Sequence, residues 1–157
     1  MSTAEAVAFV EHQRHAGKDV VFTNGVFDLL HPGHVRYLKA ARREGDVLIA
    51  GINSDRSVQT IKGPSRPINP QAERAEVLAA LACVDAVVIF DEADPLQIIS
   101  RLQPDVLVKG ADWALDAIVG REVVEARGGR VRRIPLAEGH STSAIIGKIR
   151  NAGDHLP

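Results

Sequence analysis

The run Asp46–Asn53, DVLIAGIN, is apolar at nearly every position after its first. A strand with one wet face alternates apolar and polar residues. A continuous apolar run of this length suits a strand covered on both faces, as in a parallel sheet flanked by helices. Three further runs are mostly apolar, DVVFTN (19–24), VDAVVIF (84–90) and DVLVKG (105–110), and RVRRIPL (130–136), with three arginines, reads as a fifth strand. Stretches with helical spacing lie between them: one from Pro32, NPQAERAEVLAALAC (69–83) with Pro70 in its first turn, ADPLQIISRLQ (93–103), the later part of 114–129 closed by Gly128 and Gly129, and HSTSAIIGKIRNAG (140–153). The alternation predicts an α/β fold, a Rossmann-like three-layer sandwich around a mostly parallel five-stranded sheet with right-handed crossovers. The 157 residues make one domain, 1–157, with an N-terminal helix in 1–18 and a frayed tail over 151–157 that includes His155. Ser2 and Glu5 fit a capping box for the first helix, and Gly17 fits its end. Segment 54–69, SDRSVQTIKGPSRPIN, reads as a long polar loop, and long loops in compact domains are more often functional than idle.

Ligands of such sheets sit outside the carboxyl ends of the strands, at the switch point. The stretch Thr23–His34, TNGVFDLLHPGH, lies at one such end. Gly25 breaks the apolar run and allows a tight turn and a close approach to a ligand. Pro32 suits the first turn of a helix, since its missing N–H has no partner there. The helix continues with Val35, Leu38 and Ala41 on one face. Free N–H groups and the positive end of the helix dipole then converge on a point that attracts an anion. His31 stands at the helix mouth and His34 in its first turn, and a spacing of three puts both rings on one side. We read the pair as phosphate-binding. Two other readings are a metal pair and rings packed against a loop. No H-E-x-x-H or C-x-x-C pattern supplies further zinc ligands.

Composition narrows the class. The formal net charge is −1, so no general electrostatic attraction to nucleic acid or an anionic membrane is expected. No apolar run approaches the ~18 residues of a bilayer span, and the first residues lack a signal-peptide pattern. Cys83 is the single cysteine and reads as a reduced core thiol. These features predict a cytoplasmic protein that binds neither nucleic acid nor membrane.

TNGVFDLLHPGH resembles the HxGH signature of the nucleotidyltransferase superfamily, in the GxFDxxHxGH form of its cytidylyltransferase-like branch. Asn53–Asp55 (NSD), Lys62–Pro67 (KGPSRP), Asn69–Arg74 (NPQAER), Val108–Trp113 (VKGADW) and Glu138–Ser143 (EGHSTS) follow in the expected order. Together they resemble the adenylyltransferase domains of ADP-heptose synthases, across Val20 to Arg150. The resemblance implies ATP and D-glycero-D-manno-heptose 1-phosphate as substrates, ADP-heptose and pyrophosphate as products, and Mg²⁺ carried on the triphosphate with no dedicated metal ligand. It implies catalytic roles for His31, His34 and Lys62. Thr23, Asn24, Gly25, Val26, Phe27, Ser141, Thr142 and Ser143 would bind nucleotide and phosphates. Asn53, Arg66, Lys109, Asp112 and Trp113 are secondary candidates for substrate binding. It further implies a homo-oligomer, a dimer, and a separate sugar kinase upstream, since the chain has no room for one.

Each residue also has a plainer reading. Lys62 and Arg66 could be solvated charges, Lys109 a snorkelling lysine, Trp113 a cap on the core, and the Ser141–Ser143 run a helix N-cap. Asp28 could hold the turn or position Mg²⁺ through water. Arg74 could pair with a carboxylate or reach the site. His12, His15 and His140 receive no role. The alternatives to the heptose enzyme are glycerol-3-phosphate cytidylyltransferase, another small-phosphate nucleotidyltransferase, and a nucleotide sensor without turnover.

Overall fold

The computed structural model describes residues 1–153. Its elements run α1 (Thr3–His15), β1 (Val20–Gly25), α2 (Pro32–Arg42), β2 (Val47–Asn53), α3 (Asp55–Lys62), α4 (Gln71–Ala79), β3 (Ala86–Phe90), α5 (Leu96–Leu102), β4 (Val106–Gly110), α6 (Arg121–Glu125), β5 (Arg130–Ile134) and α7 (Thr142–Gly153). A short 3-10 turn, Leu115–Ala117, precedes α6. All five strands are parallel, in the order β3-β2-β1-β4-β5. The chain steps outward from β1 to β3, then returns to the other side of β1 with β4. The order therefore reverses between β1 and β4, and a crevice opens at their carboxyl ends.

Alternation along each strand builds two cores. Val20, Phe22, Val47, Ile49, Val88 and Leu107 pack against α1, α5 and α6. Val21, Leu48, Ala50, Ile52, Val87 and Val108 pack against α2 and α4. Every residue of β2 is buried, as its continuous apolar run requires. An aspartate precedes each of the first four strands: Asp19, Asp46, Asp85 and Asp105. Three of them satisfy strand-start donors, because Asp105 accepts from the Val20 N–H, Asp46 from Asp19 N–H and Asp85 from Leu48 N–H, at 2.9, 2.9 and 2.7 Å. The rim opposite the crevice is thus closed by side chains where the ladder runs out of carbonyls.

The capping box at Ser2 and Glu5 is present, and Gly17 turns the chain after α1 with φ 73°. Segment 54–69 departs from the expected loop, since its first half is the helix α3. Ser54 caps it by accepting from Ser57 N–H, and Gly63 ends it. The segment looks polar because only Ser57 and Val58 of this helix are buried, and Ser57 is satisfied there by donating to the Glu92 carbonyl at 2.8 Å. Lys62 is consequently the last residue of a helix. Pro70 is the N-cap of α4, one position before the first turn expected of it. Asn151–Gly153, the first residues of the expected tail, continue α7. The rest of the predicted tail, with His155, lies outside the described residues.

Gly51 marks a tightly packed point of the sheet: a Cβ there would stand 2.6 Å from Cζ of Phe22, whose ring is fully buried. Gly51→Ala is expected to destabilise the protein by about 1–3 kcal/mol through overpacking. Introducing Phe22→Leu alongside it should recover part of the loss. Urea unfolding of the three variants measures both effects, and a neutral Gly51→Ala would show that the ring can move aside.

Candidate active site

An open cleft of about 400 Å³ lies at the ends of β1 and β4, lined by Asn24, Gly25, Lys109 and Gly110 from the strands. Its walls come from the β1–α2 loop, the α2 start, the segment after α3 and the α7 start. The cleft therefore occupies the switch point that the strand order creates.

Asp28 sets the shape of the β1–α2 loop. Its carboxylate accepts from Ile68 N–H and Asn69 N–H at 2.9 Å and from Nε of Arg66 at 2.7 Å. Asn69 Nδ2 returns a bond to the Asp28 carbonyl at 3.0 Å. Burial would raise the Asp28 pKa, but the two backbone N–H groups and the guanidinium outweigh it and hold the carboxyl below its usual range. Arg74 is wholly buried and supports the same loop. It donates to the carbonyls of Val26 and Asn69 and to the Asp55 carboxylate, at 2.7, 3.0 and 2.8 Å. Phe27 sits between these ties with φ 48°, a left-handed conformation that costs a non-glycine residue roughly 1–2 kcal/mol. Its ring is buried in the α2-side core and meets His34 edge-on, centroids 5.3 Å apart.

His31 is the N-cap of α2 and Pro32 its first residue. His34 N–H points at the His31 carbonyl, 2.9 Å away, and at its Nδ1, 3.4 Å away. An accepting Nδ1 leaves the proton of a neutral ring on Nε2. The two rings stack at 3.8 Å with 21° between planes. Gly33 makes this possible, since a Cβ there would come within 2.9 Å of the His31 ring. Burial, reinforced by the neighbouring His31, pushes the His34 pKa down to about 4. Burial also lowers His31, with a smaller contribution from His140. Both rings are thus uncharged at neutral pH. Asn24 Oδ1 and His34 Nδ1 are buried with no hydrogen-bond partner among the described residues, and both residues line the cleft. Buried polar atoms without a partner are costly, so these two are suited to a ligand or its water.

The start of α7 lies beside that of α2. Thr142 Oγ1 donates to the Leu29 carbonyl at 3.2 Å, and Ser141 Oγ caps the helix by accepting from Ala144 N–H at 3.0 Å. Two helix N-termini therefore face one cleft, each with a positive dipole end; α7 offers the N–H groups of Thr142 and Ser143, whereas α2 offers that of Gly33, since Pro32 has none and His34 and Val35 donate to His31. On the β4 side, burial pushes Lys109 down to about 8 against the opposing charge of Asp112. Its Nζ lies 5.8 Å over the Trp113 ring, which is half exposed.

The structure gathers His31, His34, Lys62, Asn24, Gly25, Val26, Phe27, Ser141, Thr142, Ser143, Arg66, Lys109, Asp112 and Trp113 around this cleft. It does not bring two candidates there. Asn53 lies buried behind α3, with Nδ2 donating to Ser57 Oγ and the Glu92 carbonyl. The Thr23 hydroxyl is spent below the cleft floor on Tyr37 and the Val108 carbonyl, at 2.8 and 3.1 Å. Burial, with Asp112 nearby, pushes Tyr37 up to about 12 against the Thr23 bond, so its hydroxyl stays protonated. Sequence reasoning missed Tyr37 and His140, which also line the cleft.

Residues 22–148 match the family described as cytidylyltransferase-like. The chain belongs to the cytidylyltransferase-like family. Its fold is accordingly the cytidylyltransferase-like one. Among similar proteins, the chain is 59% identical over 139 residues to the bifunctional protein HldE of Citrifermentans bemidjiense, covering 88% of this chain and 28% of that one. It is 56% identical to HldE of Syntrophotalea carbinolica, covering 89% and 29%. The chain therefore spans less than a third of the curated relatives it matches. A lipopolysaccharide core biosynthesis protein from Thermoplasma volcanium superposes with a TM-score of 0.64 at 27% identity, over 79% of this chain and 100% of that one.

The lowered His34 pKa has a consequence for this cytidylyltransferase-like domain. The group titrates near 4 when folded and near 6.5 otherwise. Between those values the unfolded chain holds a proton that the folded one does not, so stability falls as pH drops through that window. His34→Gln, which has no such proton, is expected to flatten this part of the curve. Urea midpoints of both proteins from pH 7 to 4 provide the check, and parallel curves would contradict the assignment.

Proposed function

We propose that the protein transfers the adenylyl group of ATP to D-glycero-D-manno-heptose 1-phosphate, giving ADP-heptose and pyrophosphate for lipopolysaccharide core or another surface polysaccharide. The observation that carries nucleotidyl transfer is the pair of helix starts at the switch point, with two uncharged imidazoles stacked between them. The KGPSRPINP and VKGADW motifs and the identity to HldE proteins support the heptose acceptor. In this reading the reaction runs in the cytoplasm, and a kinase activity supplies the sugar 1-phosphate.

The chemistry needs little covalent work from the protein. An oxygen of the acceptor phosphate attacks the α-phosphorus in line, the bond from that phosphorus to the bridging β-oxygen breaks, and pyrophosphate leaves with the electron pair. Catalysis is then positioning and stabilisation of charge on the transferring group. The N–H groups of the α2 and α7 starts, with Ser141, Thr142 and Ser143, hold the phosphates. His31 and His34 donate to the charge that develops there. As neutral donors held by stacking and the α2 turn, they need no reorganisation when the charge appears. Lys62 and Arg66 supply the cationic side of the cleft. Asp28 keeps Arg66 facing it through Nε, which leaves the terminal amino groups of the fork for a phosphate. Lys109, Asp112 and Trp113 line the nucleoside or sugar end.

The Asp28 oxygens are taken up by three donors, and the described residues hold no group of three or more metal-ligating side chains. Magnesium would fit this cleft as an ion carried on the triphosphate, where it would neutralise phosphate charge. Asp112 is the lining carboxylate open to its water shell.

The test is a pyrophosphate-release assay of four nucleoside triphosphates against heptose 1-phosphate, other sugar phosphates and glycerol 3-phosphate. Turnover is expected with ATP and the heptose. Preference for CTP and glycerol 3-phosphate would replace the acceptor and base, and no turnover with any pair would favour a sensor. His34→Ala is expected to lower kcat by about 10²–10³-fold, the range for loss of one preorganised donor, and near-normal turnover by the folded variant would remove His34 from the chemistry. Chelation should abolish activity and added Mg²⁺ restore it. Full turnover without a divalent ion would refute the metal's part.

A further inference from the structure

His140 continues the stack that His34 and His31 begin. The His31 and His140 centroids are 6.0 Å apart with 17° between planes, against 3.8 Å and 21° for His31 and His34. The three near-parallel imidazoles run from the buried wall of the cleft to its exposed rim. Two of them open α2, and the third immediately precedes Ser141, which caps α7. The junction depends on Gly33, where a Cβ would stand 2.9 Å from the His31 ring and 3.0 Å from the His140 Cβ. The bond from Thr142 Oγ1 to the Leu29 carbonyl, 3.2 Å, holds the two helix starts together beside that junction. His140 lines the same cleft as the other two rings.

We propose that His140 is a third imidazole of the phosphate site, hydrogen-bonding the β- and γ-phosphates of the bound triphosphate and the pyrophosphate released from them. This rests on the nucleotidyl-transfer reading above. The row explains which end of the polyphosphate it meets. The reacting α-phosphorus belongs with the inner pair, His31 and His34, at the floor where β1 and β4 end. The phosphates furthest from it extend towards the rim, where His140 and the free N–H groups of α7 stand. His140 also lies beside the His31 ring and near-parallel to it, so ring packing and phosphate contact are separable contributions.

Two substitutions separate them. His140→Phe keeps a flat ring beside His31 and removes both nitrogens, whereas His140→Ala removes the ring as well. Calorimetric titration with ATP, AMP and pyrophosphate, each with Mg²⁺, reads the contact without needing the acceptor. Both variants are expected to bind ATP and pyrophosphate about tenfold more weakly than the unsubstituted protein, with AMP affinity unchanged. Wild-type ATP and pyrophosphate affinity in His140→Phe would overturn the proposal and leave His140 a packing residue. Equal weakening of all three ligands would overturn it too, as a general disturbance of the cleft. Absence of ATP binding by the unsubstituted protein would instead refute the nucleotidyl-transfer reading on which the proposal stands.

Discussion

The site is organised by one buried carboxylate. Asp28 joins two loops that are some forty residues apart, because three donors of the segment after α3 end on its oxygens. A charge buried this fully would be prohibitive without such partners. With them it becomes the fixed point of the cleft. On one side it holds the chain that carries Phe27 into the left-handed region and delivers His31 to the α2 cap. On the other it holds Arg66 by Nε alone. Arg74 repeats the device from below, with its guanidinium fully buried among two carbonyls and the Asp55 carboxylate.

The electrostatics of the cleft follow from that framework. The inner histidines are not cations at neutral pH, because burial discourages a proton, helped by His31 beside His34 and by His140 beside His31. The positive character comes from helix ends, from N–H groups without intrahelical partners, and from lysine and arginine at the walls. In the proposed reaction a polyphosphate would meet fixed dipoles at the floor and point charges at the sides. Dipoles already oriented cost nothing to realign as charge moves from the α-phosphorus to the leaving group.

Much of this was legible in the chain. Strand periodicity located all five strands to within about two residues. Pro32 marked the α2 start, and the Ser141–Ser143 run marked α7. Legibility failed where a polar residue has two possible destinations. Asn53 ends a strand, as a ligand-binding residue would, yet its amide is consumed by Ser57 and Glu92. Thr23 faces the floor because strand alternation puts Asn24, its neighbour, on the other side. Helix α3 was hidden because a helix with one short buried face is almost as polar as a loop. His140 gave no signal, since its role depends on a ring brought beside it from residue 31.

The sequence by itself determined the layer architecture and the crevice, because apolar periodicity and crossover length leave a parallel sheet few arrangements. It also determined which segment starts a helix at the end of β1, through Gly25 and Pro32. Tertiary structure decided which polar side chains reach solvent in that crevice and which are spent inside. Asp28, Arg74, Asn53 and Thr23 all found partners 4 to 85 positions away along the chain. Whether a side chain meets a ligand depends on what else can satisfy it, and that competition is settled only when distant segments come together.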